Sequence, residues 1–395
     1  MEQLRKQIKE WVAEIHEESL ANRRHLHAHP ELSFQEIETT NYIASKMEEY
    51  GIPYTRNTAG QGLIGRLDPE VGSEAASRPV IALRSDIDAI ANTEETGCDY
   101  SSQNPGVAHC CGHDIHMSIL LGVAKVLADH RDALTCPVRF IFQPAEELAP
   151  GGARAMIEAG LLEDVDCYYG LHVEPGIDVG TIGVRPGPTM AAPTTFFITV
   201  KGRSGHGATP HLTVDPIVTA SQLVLALQTI VSRSVNPFDT ALLTIGHIQG
   251  GSTHNVIPDE VKMTGTVRTF SDDVLELVEN RMKQICNSVC ESMGATCELI
   301  IDRSYPVVVN QPEPTAHLEK AAQFMGYNTF AKDPAMIGED FSFYLRHRTG
   351  CFFHLGTGSD KPGSREALHS SRHLPDDDAM AVGMEVMLAA VLLSE

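Results

Sequence analysis

Three short, largely apolar runs limit what this chain can fold into: 80–84 (Val-Ile-Ala-Leu-Arg), 138–142 (Val-Arg-Phe-Ile-Phe) and 167–171 (Cys-Tyr-Tyr-Gly-Leu). Runs of this kind read as strands buried on both faces, the mark of a parallel sheet. Segments of helical spacing lie between them, and strand alternating with helix predicts a doubly wound α/β domain. In such sheets ligands gather outside the carboxyl ends of the strands. Those ends carry chemistry here. The first run delivers Asp86 and Asp88, the second Glu146 and Glu147, and the third His172.

The rest of the chain falls into place around this pattern. Spacing predicts a surface helix over 1–17 and further helices over 38–50, 117–129 and 152–159. Between the first two lies Arg23-Arg24-His25-Leu26-His27-Ala28-His29-Pro30-Glu31. Its three alternating histidines suggest one face of an extended segment, and Pro30 pushes His29 away from helix. A hydrogen-bonded structural stretch is the preferred reading over a metal site. From about 185 the pattern changes. Segments 195–200, 241–248 and 261–270 alternate as half-buried strands. A helix starts at Asp215-Pro216, with Asp as N-cap and Pro at the first helical position, and another covers 272–292. This predicts an inserted α+β domain over 185–302. After Tyr305-Pro306 the α/β pattern returns, with a helix over 313–325, a strand over 351–355 and a closing helix over 376–393. The first domain is therefore split into 1–184 and 303–395.

Charge narrows the partners. The net charge of −22 argues against nucleic acid and anionic membrane, which need a basic face. No apolar run is long enough to span a bilayer, and the start is a charged amphipathic stretch rather than a signal peptide. The 9 cysteines are odd in number and lack a repeating spacing. A chain with a large core does not need disulfides. The expectation is a soluble protein in a reducing cytoplasm.

The densest stretch is His109-Cys110-Cys111-Gly112-His113-Asp114-Ile115-His116. Thiolate and neutral imidazole bind transition metals, and a carboxylate binds or orients. Taken with the strand ends, the chain offers Asp86, Asp88, Cys111, His113, Glu146, Glu147, His172 and His369. That set suffices for two metal ions sharing a bridging ligand, typically about 3.5–4 Å apart. Neighbouring residues after a strand point differently, so one of Glu146 and Glu147 can bind metal while the other moves protons. Asp88 can accept a hydrogen bond from a ligand histidine and set its tautomer.

These segments resemble family M20 metallopeptidases of the amidohydrolase type, which include N-acyl-amino-acid amidohydrolases, hippurate hydrolases and auxin-conjugate hydrolases. The resemblance runs through residues 24–31, Arg84-Ser85-Asp86-Ile87-Asp88-Ala89, Cys111-Gly112-His113-Asp114, 142–147 and Gly170-Leu171-His172. It continues through 205–211, Asn255-Val256-Ile257-Pro258, Gly265-Thr266-Val267-Arg268, Gly338-Glu339-Asp340-Phe341 and Leu368-His369-Ser370. It implies a di-metal aminopeptidase-like α/β domain carrying an inserted lid and dimerisation domain. It implies Cys111 (bridging), His113, Glu147, His172 and His369 as ligands of two divalent ions. Zinc or manganese is expected, with cobalt or nickel as alternatives. Glu146 becomes the general base and Asp88 the acid near the ligands. His206 reaches the scissile carbonyl, in many relatives from the partner subunit, and Asn255 and Arg268 hold the substrate carboxylate. For Arg268 the competing reading is a structural salt bridge.

The implied reaction is hydrolysis of an N-acyl amino acid, or of a small peptide-like amide with a free carboxylate, by a homodimer or homotetramer. Rival readings are a dipeptidase, a dedicated N-acyl-diamino-acid deacylase and a non-catalytic binding protein. Glu146 argues against the last. The chain departs from the family pattern at Cys110, commonly Ala, at Ile115-His116-Met117-Ser118, and at Ala89-Ile90-Ala91, where Pro is usual. These changes leave the metal set intact and bear on substrate preference. A Cys110-Cys111 disulfide would be strained.

Overall fold

The structure is a computed structural model that describes residues 1–58 and 60–394. It divides into two compact units. The first comprises Met1–Gly187, Val309–Asp333 and Asp340–Glu395, and the second Pro188–Val308 with Pro334–Glu339. No sequence pattern announced that the short segment 334–339 belongs with the second.

The first unit is built on an eight-stranded sheet. Its middle strands are Val138–Gln143, Ile81–Asp86, Cys167–Asp178 and Thr349–Gly358, side by side and parallel. Every residue of Val138–Gln143 and Ile81–Asp86 is buried, as a strand covered on both faces requires. Leu63–Leu67 and Tyr54–Arg56 extend one edge antiparallel. Helices His113–Asp129, Pro312–Met325 and Asp378–Leu392 supply the main core against the sheet. Leu120, Leu121, Val386 and Leu388 are wholly buried, each burial stabilising by about 1.5–3 kcal/mol. The α/β class expected from the apolar runs is the one observed.

One local expectation was wrong. Residues 16–28 form a helix, His16–Ala28, and not an extended segment. The face it buries is Ser19, Asn22, Arg23, Leu26 and His27, a helical stripe made mostly of polar residues. Hydropathy periodicity cannot see such a stripe, because its residues are buried for their hydrogen bonds. Pro30 acted as expected: the helix stops at Ala28 and His29 leaves helical geometry.

The second unit holds a four-stranded antiparallel sheet in the order Ala241–Gly250, Glu260–Thr269, Ala192–Lys201, Thr296–Arg303. The last strand was not anticipated. Two helices, Pro216–Thr229 and Asp272–Ser292, cover it around Phe196, Leu223, Leu227, Val278 and Met282. The Asp215 carboxylate accepts from the Ile217 and Val218 amides, closing the helix start that Asp-Pro announced. No helix among the described residues is long and apolar enough to cross a membrane.

Candidate metal centre

The parallel register sets the centre. Asp86 lies level with Gln143 on the neighbouring strand, so the segments carrying Asp88 and Glu146-Glu147 leave the sheet together. His172 sits within the next strand. The Cys110-Cys111 segment reaches the same end through Gly112, which caps helix His113–Asp129 with φ of +84°. A Cβ there would stand 2.4 Å from Val173 Cγ2, so only glycine both turns and fits. Ala145 and His369 also carry left-handed backbone, costly without a Gly. Each is held. The Ala145 amide donates to the buried Glu36 carboxylate at 2.8 Å. The His369 amide donates to the Cys110 carbonyl at 2.8 Å, and Asn92 Nδ2 to the His369 carbonyl at 2.9 Å.

The donor atoms converge. Cys111 Sγ is 3.3 Å from His172 Nε2. Glu147 Oε1 is 3.2 Å from His369 Nε2 and 3.9 Å from His113 Nε2. Donor groups within 4.8 Å include Cys111, His113 and His172; Cys111, Glu147 and His369; His113, Glu146 and Glu147, and beside them Asp86, His113 and His116. Cys111 belongs to two of these and His113 to three. Cys111, His113, His172 and Glu146 are buried, Glu147 is half-buried and His369 is exposed, so the cluster runs from the interior to the surface.

The residues fit a cation on two counts. His113 Nε2 and Glu147 Oε1 are buried and make no directed hydrogen bond. Burial pushes the Cys111 thiol well above its usual value, and the Glu147 and Glu146 carboxylates push it further. A thiolate among carboxylates calls for positive charge beside it.

Supporting bonds aim the donors. His113 Nδ1 donates to the Asp88 carbonyl at 2.8 Å, and His172 Nδ1 to the Val173 carbonyl at 2.8 Å. Both Nε2 atoms are thereby left as acceptors facing the cluster. The orienting role expected of the Asp88 carboxylate thus falls first to its backbone. Asp88 Oδ1 also stands 3.3 Å from His113 Nδ1, while Oδ2 accepts from Ser33 at 2.7 Å and from the Glu147 amide at 3.0 Å. His116 lies beside the cluster but is committed elsewhere. Its Nδ1 donates to Asp86 at 2.7 Å and its Nε2 accepts the Val173 amide at 3.0 Å. Burial pushes the Asp86 carboxyl up, but His113, His116 and Arg84 outweigh it and hold it well below its usual range. Cys110 is a free thiol that burial pushes up to about 11, away from thiolate chemistry.

Sequence reasoning missed several supports. Glu36 is one. Another is Asp114, which accepts from His27 Nδ1 at 2.9 Å and from Arg23 at 3.1 Å across the start of the His113 helix. Asp114 stood in the segment Cys111-Gly112-His113-Asp114, read there for its neighbours, and nothing in the sequence marked Glu36.

His206, Asn255 and Arg268 belong to the second unit. His206 is exposed, pairs with Val256 across a two-strand ribbon, and accepts the Ala208 amide on Nδ1 at 3.1 Å. The Asn255 carbonyl accepts the Gly207 amide at 2.9 Å, so these two loops are locked together. Arg268 is half-buried on Glu260–Thr269 and donates to Thr266 Oγ1 and the Val267 carbonyl. Among the described residues no carboxylate pairs with it, and burial pushes its guanidinium below the usual value.

The profile of peptidase family M20/M25/M40 matches residues 82–393. An N-acetyl-L-cysteine deacetylase of Bacillus subtilis is 41% identical over 349 residues, 88% of this chain and 82% of that one. An N-acyl-L-amino acid amidohydrolase of Geobacillus stearothermophilus is 41% identical over 309 residues, 78% of this chain and 82% of its own. Among solved structures, the YXEP protein of Bacillus subtilis, described as a dinuclear metal binding peptidase from M20 family, superposes with a TM-score of 0.84. It is 34% identical, over 96% of this chain and 98% of that chain. This chain is thus a hydrolase, and it belongs to peptidase family M20/M25/M40.

Proposed function

We propose that this chain is a metal-dependent amidohydrolase. It splits the amide bond of N-acyl amino acids, or of small peptide-like amides with a free carboxylate, into a carboxylic acid and an amino acid. The observation that carries this reading is the convergence of the Cys111, His113, Glu147, His172 and His369 donor atoms, with Glu146 among them. The names of the two relatives, a deacetylase and an amidohydrolase of acylated amino acids, point to the same substrate class.

In this reading Cys111, His113, Glu147, His172 and His369 would hold two divalent cations. When bound, the cations supply Lewis acidity for the amide carbonyl and for water. Glu146 takes a proton from the attacking water and hands it to the leaving nitrogen. Asp88 keeps Glu147 and His113 in place through its backbone and carboxylate bonds. His206 donates to the carbonyl oxygen as charge builds there. Asn255 and Arg268 receive the substrate carboxylate, for which a guanidinium without a carboxylate partner is suited. A thiolate with three imidazoles suits zinc, and manganese is the next choice, ahead of cobalt and nickel. The reading extends to a homodimer or homotetramer in the cytoplasm.

The test is amino-acid release from N-acetyl, N-benzoyl and N-long-acyl amino acids and from dipeptides, after metal stripping and after adding Zn²⁺ or Mn²⁺. Hydrolysis of acylated amino acids, restored by metal and lost in Glu146→Gln with metal still bound, is the expected result. Preference for free-amine dipeptides would make the protein a dipeptidase. Silence on every substrate with metal bound would sink the proposed substrate class.

A further inference from the structure

A second cluster of metal-binding side chains lies outside this centre. His27 Nε2, a Glu94 oxygen and Cys98 Sγ lie within 4.8 Å of one another. His27 Nε2 is 3.2 Å from Glu94 Oε1, and Cys98 Sγ is 3.7 Å from the same oxygen. Donors on a tetrahedral zinc at its usual bond lengths stand about 3.3–3.7 Å apart, so these separations match the edges of such a site. Thr96 and Ser101 place hydroxyls 3.4 and 3.5 Å from the sulfur.

We propose that His27, Glu94 and Cys98 form an additional site for a zinc-class divalent cation, separate from the centre described above. It uses none of that centre's ligands and stands independently of the proposed hydrolysis. Two further features support it. His27 Nδ1 donates to Asp114 at 2.9 Å, the carboxylate–imidazole arrangement that orients a metal-binding histidine. The cation would take the place of the Nε2 proton that now bridges His27 and Glu94. Cys98 is half-buried and lines a cavity of about 470 Å³ with Arg24, Asp99 and Tyr100, so this donor is reached from solvent.

The site would have a structural role. Residues 91–107 contain no helix or strand and are held to the body by polar bonds, such as the Gln103 amide to the Ala28 carbonyl at 2.8 Å. A cation shared by His27, Glu94 and Cys98 would staple this loop to the end of helix His16–Ala28.

The experiment uses the full chain loaded with Zn²⁺. Alkylation of Cys98 by iodoacetamide, followed at the peptide level by mass spectrometry, should slow roughly tenfold or more with Zn²⁺ relative to Mg²⁺, because a coordinated thiolate is withheld from the reagent. Bound zinc per chain should fall by one in Cys98→Ala and in Glu94→Gln, whatever the main centre holds. An unchanged alkylation rate in the wild-type chain would overturn the proposal, and so would an equal zinc count in wild type and both variants. The alkylation result needs no variant to fold.

Discussion

His113 and His206 are both histidines of the proposed site, yet they are built differently. His113 is wholly buried, with Nδ1 bound to the Asp88 carbonyl and its first helical turn backed by the Asp114–His27–Arg23 bonds. His206 is exposed on a ribbon of two paired residues per strand and holds one amide through Nδ1. A ligand to a metal must be preorganised, since misplacement by an ångström costs affinity. A residue that meets the substrate is worth most when charge develops, so it can stand on a mobile-sized element and still contribute. The difference separates binding the cations from stabilising the reaction.

That separation can be tested from the largest effect down. His113→Ala should strip metal from the centre and bring hydrolysis to background, checked by metal analysis beside the assay. If the variant keeps both its metal and its activity, His113 is not a ligand. His206→Ala should keep metal content and melting temperature while kcat falls roughly 10²–10³-fold. A loss of bound metal there would erase the contrast between the two histidines. Asp88→Asn should weaken metal affinity about 10–100-fold, read by competition with a chelator, with the fold retained. Unaltered affinity would confine Asp88 to a packing role.

The smallest effect lies in the polar loop. Burial pushes the Glu94 carboxyl up, but bonds from His27, the Ser102 amide and Thr96 hold it down to about 2, below its ordinary 4.5. A depressed pKa contributes stability that is present above about 4.5 and lost as pH falls toward about 2. Metal-free Glu94→Gln should therefore be less stable than wild type at neutral pH, and the gap should close over that window in denaturant melts. A gap independent of pH would show that Glu94 acts through packing.

Much of the centre was legible in the sequence. The apolar runs announced the strands, and Asp88, Glu146 and Glu147 follow two of them; the third runs on past His172 to Asp178, so that donor lies within its strand. Asp215-Pro216 announced a helix start. What escaped notice shares one cause. The polar face of His16–Ala28, the Glu36 bond to Ala145 and the His27–Asp114 pair are all polar residues buried for partners far along the chain. Hydropathy is blind to them.

The sequence by itself determined which donors exist, their local order and the strands that present them, because strand periodicity, glycine turns and caps act over a few residues. Only the tertiary structure decided that the donors converge, which imidazole nitrogen faces the cluster, and that His116 is committed to Asp86 and the Val173 amide. Those outcomes depend on contacts such as His27 with Asp114, 87 positions apart. They arise when packing the sheet and helices brings distant polar groups into one buried space, where each must find a partner.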